Sequence, residues 1–208
     1  TDLSSIITDL NIQTELFMND THSFVNKALN NTIENLTTSE IIFNGKADSP
    51  TMILYTSGTT GRPKGAVLTQ QSLFWNSLNT TISLNLTQND SAVIFLPFFH
   101  TGAWNVLTTP ILHRGGELII LKKFDPELIL RLTSQHQCTL IFGVPTTMSM
   151  MSASKMFLDT NLSSVRYAIV GGEPMPIPLI EQWHAKGISI RQGYGLTEFG
   201  PNVFSLHQ

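Results

Sequence analysis

Apolar residues along this chain follow two rhythms. From Ser91 onward, runs dominated by consecutive apolar residues, Ala92 to Leu96, Glu117 to Leu121, Thr139 to Phe142, Arg166 to Val170 and Ile188 to Arg191, alternate with stretches of helical spacing. Such runs read as strands buried on both faces. Their alternation with helices predicts an α/β fold whose largely parallel sheet carries helices on both faces. Asp125-Pro126 reads as an N-cap followed by a proline at the first helical position, and Leu128, Ile129 and Leu132 continue an apolar stripe. Pro176 and Pro178 mark the first turn of a helix that runs through Leu179, Ile180 and Trp183 and stops at Gly187. A further helix is expected from Thr69 to about Leu84, with Leu73, Phe74, Ser77 and Leu78 on one side. Leu68 ends the strand before it, returning from a hairpin around Ser57 to Lys64. In the first fifty residues Phe17, Phe24, Leu29, Ile33 and Leu36 hint at helix, while Asn44-Gly45 and Ser49-Pro50 mark turns. No internal repeat or low-complexity tract interrupts the pattern.

Composition narrows the classes. The 208 residues are 41% hydrophobic and 13% charged with a net charge of −3, which suits a globular chain with one sizeable core. A nucleic-acid surface would need a basic balance or a Lys/Arg stripe, so no nucleic-acid partner is expected. No stretch reaches the roughly 18 apolar residues needed to span a bilayer, and the N-terminus has no basic and apolar leader pattern. No membrane span and a cytoplasmic address are the expectation. Asn-x-Ser/Thr sequons at Asn35 and Asn79 then read as incidental to an Asn- and Thr-rich composition. Cys138, the single cysteine, lies in an apolar run and reads as a small buried hydrophobe. His113, His136 and His184 show no metal-ligand spacing.

The chemistry concentrates in Tyr55-Thr56-Ser57-Gly58-Thr59-Thr60-Gly61-Arg62-Pro63-Lys64-Gly65, directly after an apolar strand. Glycines let a backbone approach anionic oxygens, Thr and Ser hydroxyls donate hydrogen bonds, and Lys64 adds a point charge. The pattern fits a polyphosphate clamp. It is not a Walker A loop, because that loop ends in Gly-Lys-Ser/Thr and this one ends in Pro63-Lys64-Gly65. A generic solvated hairpin turn is the bland alternative.

Tyr55 to Gly65 resembles, residue for residue, the loop of the adenylate-forming enzymes, which include acyl-CoA synthetases, luciferases and peptide-synthetase adenylation domains. A second segment downstream, Gln192-Gly193-Tyr194-Gly195-Leu196-Thr197-Glu198, resembles the family's aromatic-Gly-x-Thr-Glu motif. The resemblance covers roughly Pro50 to the end. It implies that Thr56, Ser57, Gly58, Thr59, Thr60 and Lys64 hold the β- and γ-phosphates of ATP, and that Tyr194 and Gly195 border the adenine. Thr197 then serves the α-phosphate and Glu198 a Mg²⁺ ion, a hard cation suited to carboxylate and phosphate oxygens. Gly171-Gly172-Glu173-Pro174 resembles the family's glycine segment beside the adenine, although Glu173 stands where the family often has a small residue. Pro97-Phe98-Phe99-His100-Thr101-Gly102-Ala103-Trp104 resembles the border of the acyl pocket, with His100 at the carboxylate end of the substrate. Trp104 and the Gly143-Val144-Pro145-Thr146 turn are candidates for shaping that pocket.

The implied activity joins a carboxylic acid to the α-phosphate of ATP with release of pyrophosphate, then passes the acyl group to a thiol such as coenzyme A. Phe99-His100-Thr101-Gly102 and Thr108-Thr109-Pro110-Ile111-Leu112-His113-Arg114-Gly115-Gly116 favour the acyl-CoA synthetase branch, with a fatty or related organic acid as substrate. Against the family's pattern the chain reads as a fragment of the large N-terminal domain. Residues 1–50 would be a remnant of an upstream lobe, 51–68 the phosphate-loop hairpin and 69–208 the central α/β lobe, with the C-terminal lid domain outside the chain. A nucleotide-binding or interaction module without catalysis, and a peptide-synthetase adenylation domain, remain the alternatives.

Overall fold

The computed structural model describes residues 46–57 and 62–206. The helical hints between Phe17 and Leu36, the Asn44-Gly45 turn, and Gly58, Thr59 and Thr60 of the clamp lie outside the described residues. Two strands open the described part, β1 (Pro50–Thr56) and β2 (Lys64–Thr69). They pair antiparallel with Thr56 opposite Lys64, which is the expected hairpin. Thr69 then caps α1 (Gln70–Leu84): its Oγ1 accepts from the Ser72 N–H at 3.2 Å, and Ser72 Oγ accepts from the Thr69 N–H at 2.8 Å. Two orphan donors of the helix start are thereby satisfied reciprocally.

The main sheet comprises β3 (Ser91–Ile94), β4 (Glu117–Ile120), β5 (Leu140–Gly143), β6 (Tyr167–Val170), β7 (Ile190–Leu196) and β8 (Gly200–Ser205), in the order β4-β3-β5-β6-β7-β8. The first five run parallel and β8 returns antiparallel on β7. Every residue of β3, β5 and β6 is buried. Because side chains alternate across a strand, the runs split between two cores. Ala92, Ile94, Leu140, Phe142, Tyr167 and Ile169 meet Leu84, Val106, Leu107 and Ile111 on one face. Val93, Phe95, Ile141, Ala168 and Val170 meet Ile129, Leu130, Met148 and Trp183 on the other. The expected α/β fold with helices on both faces is the observed one.

The second face is covered by α3 (Pro126–Gln135), α4 (Pro145–Ala153), the single turn α5 (Met156–Asp159) and α6 (Ile177–Ala185). Asp125 caps α3 by accepting from the Leu128 N–H at 3.0 Å, and Gly187 lies in the left-handed region just beyond α6. The Gly143 to Thr146 turn is the entry to α4, with Pro145 at its first position. Trp183 is fully buried, packs edge-on against Phe157 at 4.9 Å and donates its Nε1–H to the Met148 carbonyl at 3.3 Å.

The first face holds α1, a π-helical segment (Ala103–Thr108) and α2 (Thr109–Arg114), which continues it. Pro110 explains the wide turn. A helix needs the N–H of residue 110 for the carbonyl of Val106, and proline has none. The register shifts instead: the Thr109 N–H reaches back to the Trp104 carbonyl, and Thr108 Oγ1 donates to the Ala103 carbonyl at 2.6 Å. The expected stripe on α1 holds at Ser77, which is buried, and at Leu73 and Leu78, which are half-buried, and fails at Phe74. Ser77, Thr80 and Leu84 face inward, whereas Phe74 is 49% exposed. The two small polar residues are bonded rather than merely packed: Ser77 Oγ meets His113 Nδ1 at 2.8 Å and Thr80 Oγ1 accepts from Asn202 at 2.7 Å. At the opposite end of the sheet Asp90, 3% exposed, accepts from Arg166 at 2.8 Å, from the Thr87 N–H at 2.7 Å and from Thr139 Oγ1 at 2.7 Å.

Trp183→Ala should cost about 3–5 kcal/mol of unfolding free energy, measured by denaturant titration, and Trp183→Phe should cost clearly less. Equal losses would show that ring packing is not what holds α6 to α4.

Candidate active site

Parallel strands bring their carboxyl ends to one edge, and in open α/β sheets ligands bind beyond that edge. The four sequence segments leave neighbouring strands there: Pro97 to His100 after β3, Gly143 to Thr146 after β5, Gly171 to Pro174 after β6, and Thr197 to Phe199 after β7. Strands β3 and β7 stand three positions apart, about 14 Å. The His100 loop and the Glu198 turn therefore flank a space of substrate size.

β7 reaches Leu196, further than the expected Ile188 to Arg191, so Tyr194 and Gly195 lie within the strand and Thr197 and Glu198 in the turn to β8. Antiparallel pairing with β8 extends it. Tyr194 faces Phe204 across the pair, the rings 6.1 Å apart and nearly parallel, and its ring remains 57% exposed. One aromatic face is thus supported from behind while the other is open. Gly195 is required by packing, because a Cβ there would run into the Pro201 backbone. Thr197 is half-buried and Glu198 exposed.

Gln192, which the sequence motif contains without revealing its role, ties the two glycine segments together. Its Nε2 donates to the carbonyls of Val170 at 3.0 Å and Glu173 at 3.1 Å, and its Oε1 accepts from the Met175 N–H at 3.0 Å. The Gly171–Pro174 loop is pinned to β7 on both sides. Gly172 has φ +82°, a left-handed conformation that favours glycine. The Gly171 N–H reaches the Gly143 carbonyl at 3.3 Å, linking this loop to the entry of α4. Glu173 itself points to solvent.

His100 is exposed; its N–H closes a turn on the Pro97 carbonyl at 3.1 Å and its ring lies 4.6 Å from that of Phe99. Trp104 packs edge-on against Phe98 at 4.6 Å in the first turn of the π segment. In the hairpin, Thr56 Oγ1 donates to the Lys64 carbonyl at 3.4 Å, and Ser57 and Lys64 are exposed. Between α1 and the β6–β8 strands lies a cavity of about 260 Å³, lined by Thr80, Leu84, Ile169, Gly193, Asn202 and Ser205 among others. A wider open groove of about 650 Å³ runs between the starts of α4 and α6, past Glu173 and Pro174.

Among the described residues no three His, Cys, Asp or Glu side chains gather into a metal site, and no helix is long and apolar enough to cross a membrane. Cys138 is fully buried, and burial pushes its thiol above the usual range, opposite to what a nucleophile needs. Burial likewise raises the Tyr167 phenol, against the pull of Arg166 and Arg191; its hydroxyl donates to the Leu84 carbonyl. His113 Nδ1 shares a hydrogen bond with Ser77 Oγ at 2.8 Å, a packing role between α2 and α1.

Glycine-bearing loops, an open aromatic face and a threonine–glutamate turn gathered at the carboxyl edge define an α/β protein of the kind whose ligands bind beyond the strand ends. Residues 6–208 match the model of the AMP-binding enzyme family, and the chain belongs to that family. It is 38% identical over 159 residues to a feruloyl-CoA synthase of Amycolatopsis sp, covering 76% of this chain and 32% of that protein. It is 39% identical over 153 residues to an indoleacetate–CoA ligase of Aromatoleum aromaticum, covering 74% of this chain and 30% of that protein. The N-terminal domain of FACL13 from Mycobacterium tuberculosis superposes with a TM-score of 0.72 at 32% identity, covering 83% of this chain and 43% of that one. ATP-bound MatB from Rhodopseudomonas palustris gives a TM-score of 0.74 at 33% identity, with 86% and 35% covered. The chain thus spans about a third of the length of the curated relatives it matches.

Gln192→Leu removes the donors and the acceptor at nearly constant size. Hydrogen exchange should then quicken at the amides of Gly172, Glu173 and Met175 by about tenfold or more, the loss of roughly 1–3 kcal/mol of local stability. Unchanged protection there would show that the loop is held by its own conformation.

Proposed function

We propose that this chain carries the adenylate-forming site of an ATP-dependent carboxylic acid:CoA ligase whose acid is aromatic. The single observation that carries the reading is the Gln192 tie, which fastens the Gly171–Pro174 loop to the strand that carries Tyr194 and leads into Thr197 and Glu198. Adenine would lie on Tyr194 against Gly171, Gly172, Glu173 and Gly195. Thr197 offers a hydroxyl to the α-phosphate. The exposed Glu198 carboxylate fits Mg²⁺, which takes one or two carboxylates together with phosphate oxygens. Thr56, Ser57 and Lys64, with Gly58, Thr59 and Thr60 of the same loop, would hold the outer phosphates. His100 would stand at the carboxylate of the acid, and coenzyme A would accept the acyl group in the full-length protein. Residues 51–68 are then the phosphate-loop hairpin and 69–208 the central lobe, with residues 1–50 left from an upstream lobe. A buried free cysteine and the use of ATP accord with a cytoplasmic setting.

The sequence alone favoured a fatty or related organic acid. The named substrates of the relatives, ferulate, indoleacetate and 2-succinylbenzoate, support an aromatic one. The cavity beside α1 has room for a single ring, and Gly193 keeps it open: a Cβ at that position would meet nothing closer than 3.8 Å, so packing does not demand the glycine.

In the full-length protein, aromatic acids such as ferulic and indoleacetic acid should support ATP–pyrophosphate exchange, with straight-chain fatty acids at least tenfold less effective. Exchange with no acid of a broad panel would sink the ligase reading, and a preference for long straight chains would sink its aromatic part. Lys64→Ala should lower kcat/KM for ATP by about tenfold to a hundredfold, the scale of one charge-assisted phosphate contact. Unchanged kinetics would remove Lys64 from the clamp.

A further inference from the structure

The wide turn after His100 deprives two carbonyls of their α-helical partners. The N–H that would serve Asn105 in an α-helix belongs to Thr109 and goes to Trp104, and the next residue, Pro110, has none to give. Val106 loses its partner to the same proline. Side-chain amides from two distant elements fill these places. Asn76 of α1 donates its Nδ2 to the Asn105 carbonyl at 2.8 Å. Asn202 of β8 donates to the same oxygen at 3.2 Å, to the Val106 carbonyl at 3.4 Å and to Thr80 Oγ1 at 2.7 Å. The Asn105 side chain, 1% exposed, donates in turn to Thr101 Oγ1 at 3.1 Å, one residue after His100.

Gly200, which closes the Glu198 turn, completes the junction. Its φ is +90°, and a Cβ there would sit 2.8 Å from Asn76 Oδ1. Asn76 therefore touches both sides of the active edge: through Asn105 and Thr101 it reaches the His100 loop, and by packing on Gly200 it reaches the Thr197–Glu198 turn. We infer that Asn76 is a positioning residue for acyl-adenylate formation, fixing the separation between the acid-side loop at His100 and the phosphate-side turn at Glu198. This rests on the ligase reading above. The reaction brings two anionic partners into line, and a displacement near 1 Å costs about a hundredfold in rate. Asn76 does not line the cavity assigned to the acid, so it acts through its neighbours.

The test uses the full-length protein with Asn76→Ala and Asn76→Asp. The aspartate keeps the shape but turns an oxygen toward the Asn105 carbonyl, so it should be at least as damaging as alanine. Both variants should lower kcat of pyrophosphate exchange about tenfold to a hundredfold while KM for ATP and for the acid stays within about twofold. In both, amide hydrogen exchange should quicken together in residues 100–106 and 197–203. Unchanged kcat, a loss confined to KM, a fully active aspartate variant, or activity falling only in step with the folded fraction would each overturn the inference. If the wild-type protein supports no exchange with any acid, the ligase reading falls first. Hydrogen exchange then decides the junction alone, and protection lost in one segment without the other refutes it.

Discussion

Burial of the central strands on both faces is the constraint from which the site follows. A strand with no exposed residue, as in β3, β5 and β6, must have helices above and below it. Chain returning through a helix enters the sheet again in the same direction. Five parallel strands then end on one edge, and the connections that leave them are freed from packing duty. The Gly171–Pro174 loop and the Thr197–Glu198 turn can be rich in glycine and exposed carboxylate because the core beneath them is complete without them.

Much of the sheet was legible in the sequence because buried parallel strands are written as unbroken apolar runs. Three such runs, with the looser Glu117 to Leu121 and Ile188 to Arg191, anticipated five strands to within two residues at their starts, and Asp125, Pro126 and Gly187 marked helix ends by their own backbone chemistry. Less visible was anything that depends on a distant partner. The last strand, Gly200–Ser205, is half polar, and its pairing with β7 is what carries that strand on to Leu196. The inner face of α1 was read in part: Ser77 is buried where the expected stripe put it, but Thr80 looks like a surface residue until Asn202 of β8 is seen to donate to it.

The candidate site divides in the same way. Its four segments were recognisable by composition and order, and they do leave adjacent strands of one edge. What joins them was hidden. Gln192 reads as the polar first residue of a motif just past the expected strand, and only its bonds to the backbone of Val170, Glu173 and Met175 show that it fastens the neighbouring loop. Asn76 and Asn202 lie 126 positions apart in the sequence, with nothing local to mark them as partners on one carbonyl.

Pro110 carries a consequence for how the chain reaches this structure. It denies the Ala103–Thr108 segment one backbone donor, and one of the two side chains that stand in, Asn202, lies beyond four further strands in the sequence. The Asn105 carbonyl already has Asn76 from upstream, so what β8 adds is a second bond to that oxygen, the bond to Val106 and the packing of Gly200 on Asn76. A chain that stopped short of β8 would have most of its core and the Asn76–Asn105–Thr101 half of the junction, but neither Asn202 nor Gly200 to join it to the Thr197–Glu198 turn.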